Sequence, residues 1–202
     1  MLGKTHMVIG TAAALAITRP KTVGSLVICL GASALGALIS DIDVGTSESH
    51  KDADIVVTLA AGIAMLTAAA EYLFHLDLYR RIFQNTSKLP MIAGILLFLV
   101  ICAFGKEQPH RSFMHSFLAL ILLAACIYLV IPQAVPYFAI GFLSHIAIDL
   151  FNRRKVRLLY PFSGGFSLGL FPAHGTANHI FFLLGSVLTA AEILLCVPAI
   201  LF

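Results

Sequence analysis

Apolar residues in this chain come in long blocks rather than in alternation. Seven blocks stand out, at 5–18, 22–40, 54–76, 90–105, 113–131, 135–151 and 178–201. A helix crossing a bilayer needs about 20 mostly apolar residues, each advancing it by about 1.5 Å. The blocks predict an all-α fold: a polytopic transmembrane helical bundle of about seven segments, forming a single domain over 1–202. The first and fourth blocks are short, so tilt, flanking residues or shielding by neighbours has to make up the difference. Pro132 and Pro136 separate the fifth block from the sixth. Proline removes a backbone donor and turns the preceding residue away from helix, which predicts a tight connection there. The stretch from Arg153 to Ala177 departs from the pattern. It holds Pro161, Gly164, Gly165, Gly169, Pro172 and Gly175 among Tyr160, Phe162, Phe166 and Phe171. Its turn residues predict an irregular or re-entrant loop at 153–177, and its aromatic content argues against disorder.

Composition agrees with a membrane protein. Hydrophobic residues make up 59% of the 202 and charged residues 11%, against about half and about a quarter in soluble domains. A net charge of +3 with no long basic run gives no reason to expect nucleic acid as a partner. The first apolar block ends in Arg19-Pro20 rather than at a small-residue cleavage site, so it reads as a retained helix. Cys29, Cys102, Cys126 and Cys196 all lie within apolar segments and form no CxxC pair; they are assigned to packing. Alternating the segments puts Lys4, Lys51, Lys106, Arg111, Arg153, Arg154, Lys155 and Arg157 on one face. Arg19, Lys21, Arg80, Arg81 and Lys88 fall on the other. The richer face is expected to be cytoplasmic.

Ionisable residues sit where apolar blocks begin or end. His6 opens the first block, and Asp41 and Asp43 close the second in "SDID". His110 and His115 precede and open the fifth in "HRSFMHSF". His145 and Asp149 lie one turn apart on the sixth, and His174 and His179 stand at the seventh. Under the alternation, all fall at one membrane face. An ionisable group within a span costs a few kcal/mol and marks function by default. Imidazole with carboxylate is the donor set of Zn²⁺, Mn²⁺ or Fe²⁺ in hydrolytic sites. His145 and Asp149, at i and i+4, project from one helix face. Asp41-x-Asp43 can supply one ligand and one outer or second-metal carboxylate. A candidate set of His6, Asp41, Asp43, His110, His115, His145, Asp149 and His179 exceeds what one tetrahedral ion needs. One to three ions are therefore expected, zinc first and Mn or Fe as alternatives.

These motifs together resemble the YdjM-like family of membrane-bound, metal-dependent hydrolases. "TH" at Thr5-His6, "SDID", "HRSFMHS" and "GFLSHIAIDLFNRRKVRLLYPF" follow that family's TH, PDID, HRG-x-THS and G-x-x-SH-x-x-x-D elements, with a basic turn and "P-F" after the last. The resemblance implies a bound metal, a bacterial or archaeal inner-membrane location, and functional residues at His6, Asp41, Asp43, His110, Arg111, His115, Ser116, His145 and Asp149. Three departures stand out: Ser40 in place of proline, Phe113-Met114 in place of the glycine-containing stretch, and His179 where a glutamate is expected. The ligand order also resembles that of zinc-dependent phospholipase C and P1-type nucleases, as an analogy of order alone.

The expected activity is hydrolysis of a phosphoester in a membrane lipid or lipid-linked substrate. Asp43 or His115 is the expected proton acceptor. Arg111 is expected to stabilise developing charge, and Arg153, Arg154, Lys155 and Ser116 to hold the substrate. Two other classes compete. A metal-ion transporter predicts ligands near the bilayer midplane and paired repeats; a structural metal predicts a saturated ion with no open position.

Overall fold

The computed structural model describes residues 2–43, 87–172 and 175–201. Six α-helices lie among them: α1 (Gly3–Thr18), α2 (Val23–Ile39), α3 (Lys88–Lys106), α4 (Phe117–Val130), α5 (Val135–Phe151) and α6 (Thr176–Leu201). Each corresponds to one of the apolar blocks. The block at 54–76 lies outside the described residues, as do Lys51, Arg80, Arg81 and His174. Four helical stretches are long and apolar enough to cross a membrane: Val23–Asp43, Lys88–Lys106, Pro132–Phe151 and Thr176–Pro198.

Local sequence sets the helix limits. Thr22 and Ser25 form a reciprocal capping box at the start of α2. Ser116 caps α4, its hydroxyl accepting from the Ala119 amide at 3.2 Å. The fifth block therefore begins with a single 3₁₀ turn, Phe113–His115, and becomes α-helical only at Phe117. Another 3₁₀ turn, Pro132–Ala134, makes the tight connection that the prolines predict. At 16 residues α1 is too short for a full crossing on its own. It packs against α2, α5 and α6, and its Ala14 and Leu15 share a buried cluster with Cys29 and Cys196.

Two glycines let α2 and α5 approach closely. A methyl group on Gly36 would overlap the Phe138 carbonyl oxygen, and one on Gly141 would overlap that of Ser33. Small residues at such crossings replace the hydrophobic drive that lipid cannot supply. The other helix faces are apolar and exposed, at Leu96 and Val100 of α3, Ile121 of α4, and Leu183 and Leu194 of α6. Those surfaces suit acyl chains.

The 153–172 stretch is ordered without forming a strand. Single bridges join Asn152 to Phe171 and Val156 to Phe166. Its amides also complete the end of α5: Leu168 donates to the Leu150 carbonyl, and Leu170 and Phe171 donate to that of Phe151. Helix ends leave such carbonyls without intrahelical partners.

Candidate metal centre

Several chain segments converge at one end of the bundle. His6 comes from the first turn of α1, and Asp41 and Asp43 from the 3₁₀ turn Ser40–Asp43 that follows α2. His115 closes the 3₁₀ turn before α4, and His145 and Asp149 lie in the last two turns of α5. His110 and Arg111 arrive on the connection between α3 and α4. These eight expected residues meet. His6, His115 and His145 are fully buried, and Asp149 and Arg111 nearly so. Only the His110 side chain, 31% exposed, and that of Asp41, at 11%, keep a notable opening.

The donor atoms are spaced as ligands are. His145 Nε2 lies 3.2 Å from His115 Nε2. Asp41 Oδ1 is 3.6 Å from His115 Nε2 and 3.5 Å from His145 Nε2. Asp149 Oδ2 is 3.4 Å from His115 Nε2 and 3.9 Å from His145 Nε2. Zinc bonds of about 2.0–2.1 Å give a tetrahedral donor–donor edge of about 3.3 Å. His6 Nε2 stands 3.5 Å from Asp149 Oδ1, and its ring stacks on His145 with centroids 3.8 Å apart.

The buried polar atoms test the fit independently. Neither nitrogen of His6 has a hydrogen-bond partner among the described residues, and His115 Nδ1 has none. Buried polar groups are almost always bonded, so these orphaned atoms mark a missing partner. Charge agrees. Asp41, Asp43 and Asp149 bring three negative charges against one positive charge from Arg111, leaving two for a dication to balance when the histidines are neutral. The residues fit a divalent metal.

Outer contacts orient this set. His145 Nδ1–H donates to the Ala37 carbonyl at 2.6 Å, which fixes the tautomer and turns Nε2 inward. Asn152 donates to Asp149 Oδ1 at 2.8 Å. Asp43 binds His110 Nδ1 at 2.8 Å and accepts from the Arg111 amide at 3.2 Å. Burial pulls the His115 pKa down, but the facing carboxylates of Asp149, Asp41 and Asp43 outweigh it and hold it well above the ordinary imidazole value. The donors fall into three overlapping groups: His6, His145 and Asp149; Asp41, His115 and His145; Asp43, His110 and His115.

Arg111 does not snorkel toward headgroups. Its guanidinium is buried, with Nη2 3.0 Å from Asp149 Oδ2 and Nη1 donating to the Arg154 carbonyl at 2.8 Å. Its backbone sits at φ 64°, in the left-handed region. The amide bond to Asp43 and the bond from the Arg157 amide to the Arg111 carbonyl hold it there.

The remaining expected residues lie around the cluster rather than among its donors. Ser116 is buried and spends its hydroxyl as a helix cap, donating to the Phe113 carbonyl. Arg153, Arg154 and Lys155 are exposed, and Arg154 reaches the site through its backbone. His179 is exposed on the first turn of α6 and joins none of the donor groups. Its neighbour Asn178 points inward instead, accepting from the Leu2 amide at 3.1 Å and the Thr5 hydroxyl at 3.0 Å. That ties α6 to the residue beside His6. A lone asparagine opening an apolar block was the available signal for it. Nothing in the sequence marks the Ala37 carbonyl.

Fold and site together define an integral membrane helical protein with a buried His/Asp cluster, able to hold a metal, where several helix ends converge. The chain belongs to the YdjM inner membrane protein family, whose sequence model matches residues 1–202, the whole chain. No curated protein and no solved structure matches it.

Proposed function

We propose that this protein is a metal-dependent hydrolase that cleaves a phosphoester of a membrane lipid or lipid-linked substrate at the cytoplasmic face of the bacterial inner membrane. One observation carries the reading. A buried set of His and Asp donors, several of them orphaned, lies against a buried arginine and beside an exposed basic turn. Zinc suits the donor set best, with Mn or Fe as alternatives, and the three overlapping groups leave room for one to three ions. A bound dication would supply water activated near neutral pH and a polarised phosphoryl oxygen.

The chain's own residues supply the rest. Arg153, Arg154 and Lys155 would hold the phosphate from the exposed side. Arg111 would meet non-bridging oxygens through Nε, its one guanidinium nitrogen without a partner among the described residues. Asp43 is the better placed proton acceptor, because its bond to the partly exposed His110 gives the proton a route to solvent. His115, buried among carboxylates, suits a ligand role. The donors stand at helix ends rather than mid-span, which favours hydrolysis over ion transport.

The test is the lipid composition of a deletion strain beside one carrying His145→Ala. The same phosphorylated lipid should accumulate in both, and the wild-type gene should clear it. Unchanged lipids in both strains would reject a lipid substrate.

A further inference from the structure

We infer that the 158–170 loop is embedded in the anionic headgroup and upper acyl layer of the protein's own bilayer, as an apolar lip beside the metal centre. Leu159, Phe162, Phe166, Leu168 and Leu170 are all exposed along it, Phe162 at 75%. Five large apolar side chains on 12 consecutive residues are unsuited to water.

Part of the loop's backbone is paired within the protein. Val156 and Phe166 exchange both amide bonds. Phe162 donates to Leu159, Leu168 to Leu150, and Leu170 and Phe171 to Phe151. Unpaired backbone is excluded from the hydrocarbon core, so a loop paired in part sits at headgroup depth, where water and headgroups supply the remaining partners. The flanks identify the occupant. The loop leaves a spanning stretch that ends at Phe151 and returns to one that starts at Thr176, so both ends lie at a membrane surface. Exposed Arg153, Arg154 and Lys155 adjoin the apolar stretch. Basic residues beside apolar ones are the composition of segments that lie in anionic interfaces.

The lip is attached to the site. Arg111 donates to the Arg154 carbonyl and accepts from the Arg157 amide, and the first amide of α4, at Phe117, donates to Leu158. The lip therefore begins one residue along the chain from the Arg157 amide that bonds Arg111. This deepens the lipid-phosphoester reading, since it brings substrate in laterally from the same leaflet. Its test reads neither metal nor turnover, so the two can fail separately.

The chain contains no tryptophan, so one introduced indole reports its own surroundings. Phe162→Trp and Phe166→Trp would be reconstituted in phosphatidylethanolamine–phosphatidylglycerol vesicles with lipids brominated at shallow or deep acyl positions. Leu96→Trp, on the exposed face of α3, is the deep reference. Both loop indoles should be quenched more by shallow than by deep bromines and shielded from aqueous acrylamide. Leu96→Trp should show the opposite depth preference. Acrylamide quenching of the loop indoles without bromolipid quenching would place the loop in water. Shielding from both quenchers would mean that protein covers it, from residues 44–86 or from a second copy. Either result overturns the inference.

Discussion

Removing Arg111 should destabilise the metal-free protein far more than the loaded one. The guanidinium is buried against Asp149, with Nη2 3.0 Å from Oδ2. At that separation two unit charges attract by about 5 kcal/mol if the effective dielectric constant is about 20. Arg111→Ala removes one member of this buried ion pair, and breaking such a pair costs about 3–5 kcal/mol. The Arg154 carbonyl also loses its donor. In the loaded protein a dication neutralises Asp149 instead. What remains is mainly the lost hydrogen bond, at about 1–3 kcal/mol. For a chain of this size 1 kcal/mol moves the apparent Tm by about 2–4 °C. Thermal unfolding in detergent, with and without chelator, should therefore show a drop of about 6–20 °C for stripped Arg111→Ala and a clearly smaller drop after metal is restored. Arg111→Lys keeps the charge but not the fork that reaches both Asp149 and the Arg154 carbonyl. It should keep its metal and lose about 100–1000-fold in turnover. Equal drops with and without metal, or no drop in the stripped protein, would refute this account of Asp149's counter-charge.

Proton and metal compete at His115. Because its pKa is raised in the folded protein, metal affinity should weaken as pH falls through that raised value. The metal-free fold should respond with the opposite sign, losing stability as pH rises through it, since a raised imidazole stabilises only while protonated. Calorimetric titration and unfolding across pH 5–9 would check both, and a pH-independent affinity would contradict the first. Asn178→Ala should loosen the hold of α6 on the residue beside His6 and lower metal affinity by about 10–100-fold. Combined with His6→Ala it should add little, and full additivity would show that Asn178 does not act through His6. Cysteines at positions 4, 106 and 154 should label from one side of the membrane and one at 88 from the other, with mixed labelling among the first three rejecting the alternation.

Six helices were legible because lipid leaves no choice of period: a stretch too apolar for water has to satisfy its backbone within itself. The convergence of His6, Asp41, His115, His145 and Asp149 was legible too, since alternation alone carries them to one end. What the sequence hid depends on rotation and local hydrogen bonds. Ser116 and His115 are adjacent, yet one caps a helix while the other enters the cluster, because a 3₁₀ turn intervenes. At the start of α6 one residue of phase separates inward Asn178 from outward His179. A hydrophobicity boundary locates a helix end but does not set its phase. The burial of Arg111 follows from a left-handed backbone at a non-glycine residue, which propensity does not anticipate.

These side chains either form a metal centre or only a buried polar cluster. Elemental analysis of the purified protein, beside folded His145→Ala and Asp149→Ala variants, separates the two most directly. At least one transition-metal ion per wild-type chain is expected, with most of it lost in both variants. A metal-free wild-type protein that stays metal-free after incubation with zinc, manganese or iron, or full occupancy in both variants, would contradict a metal centre built from these side chains.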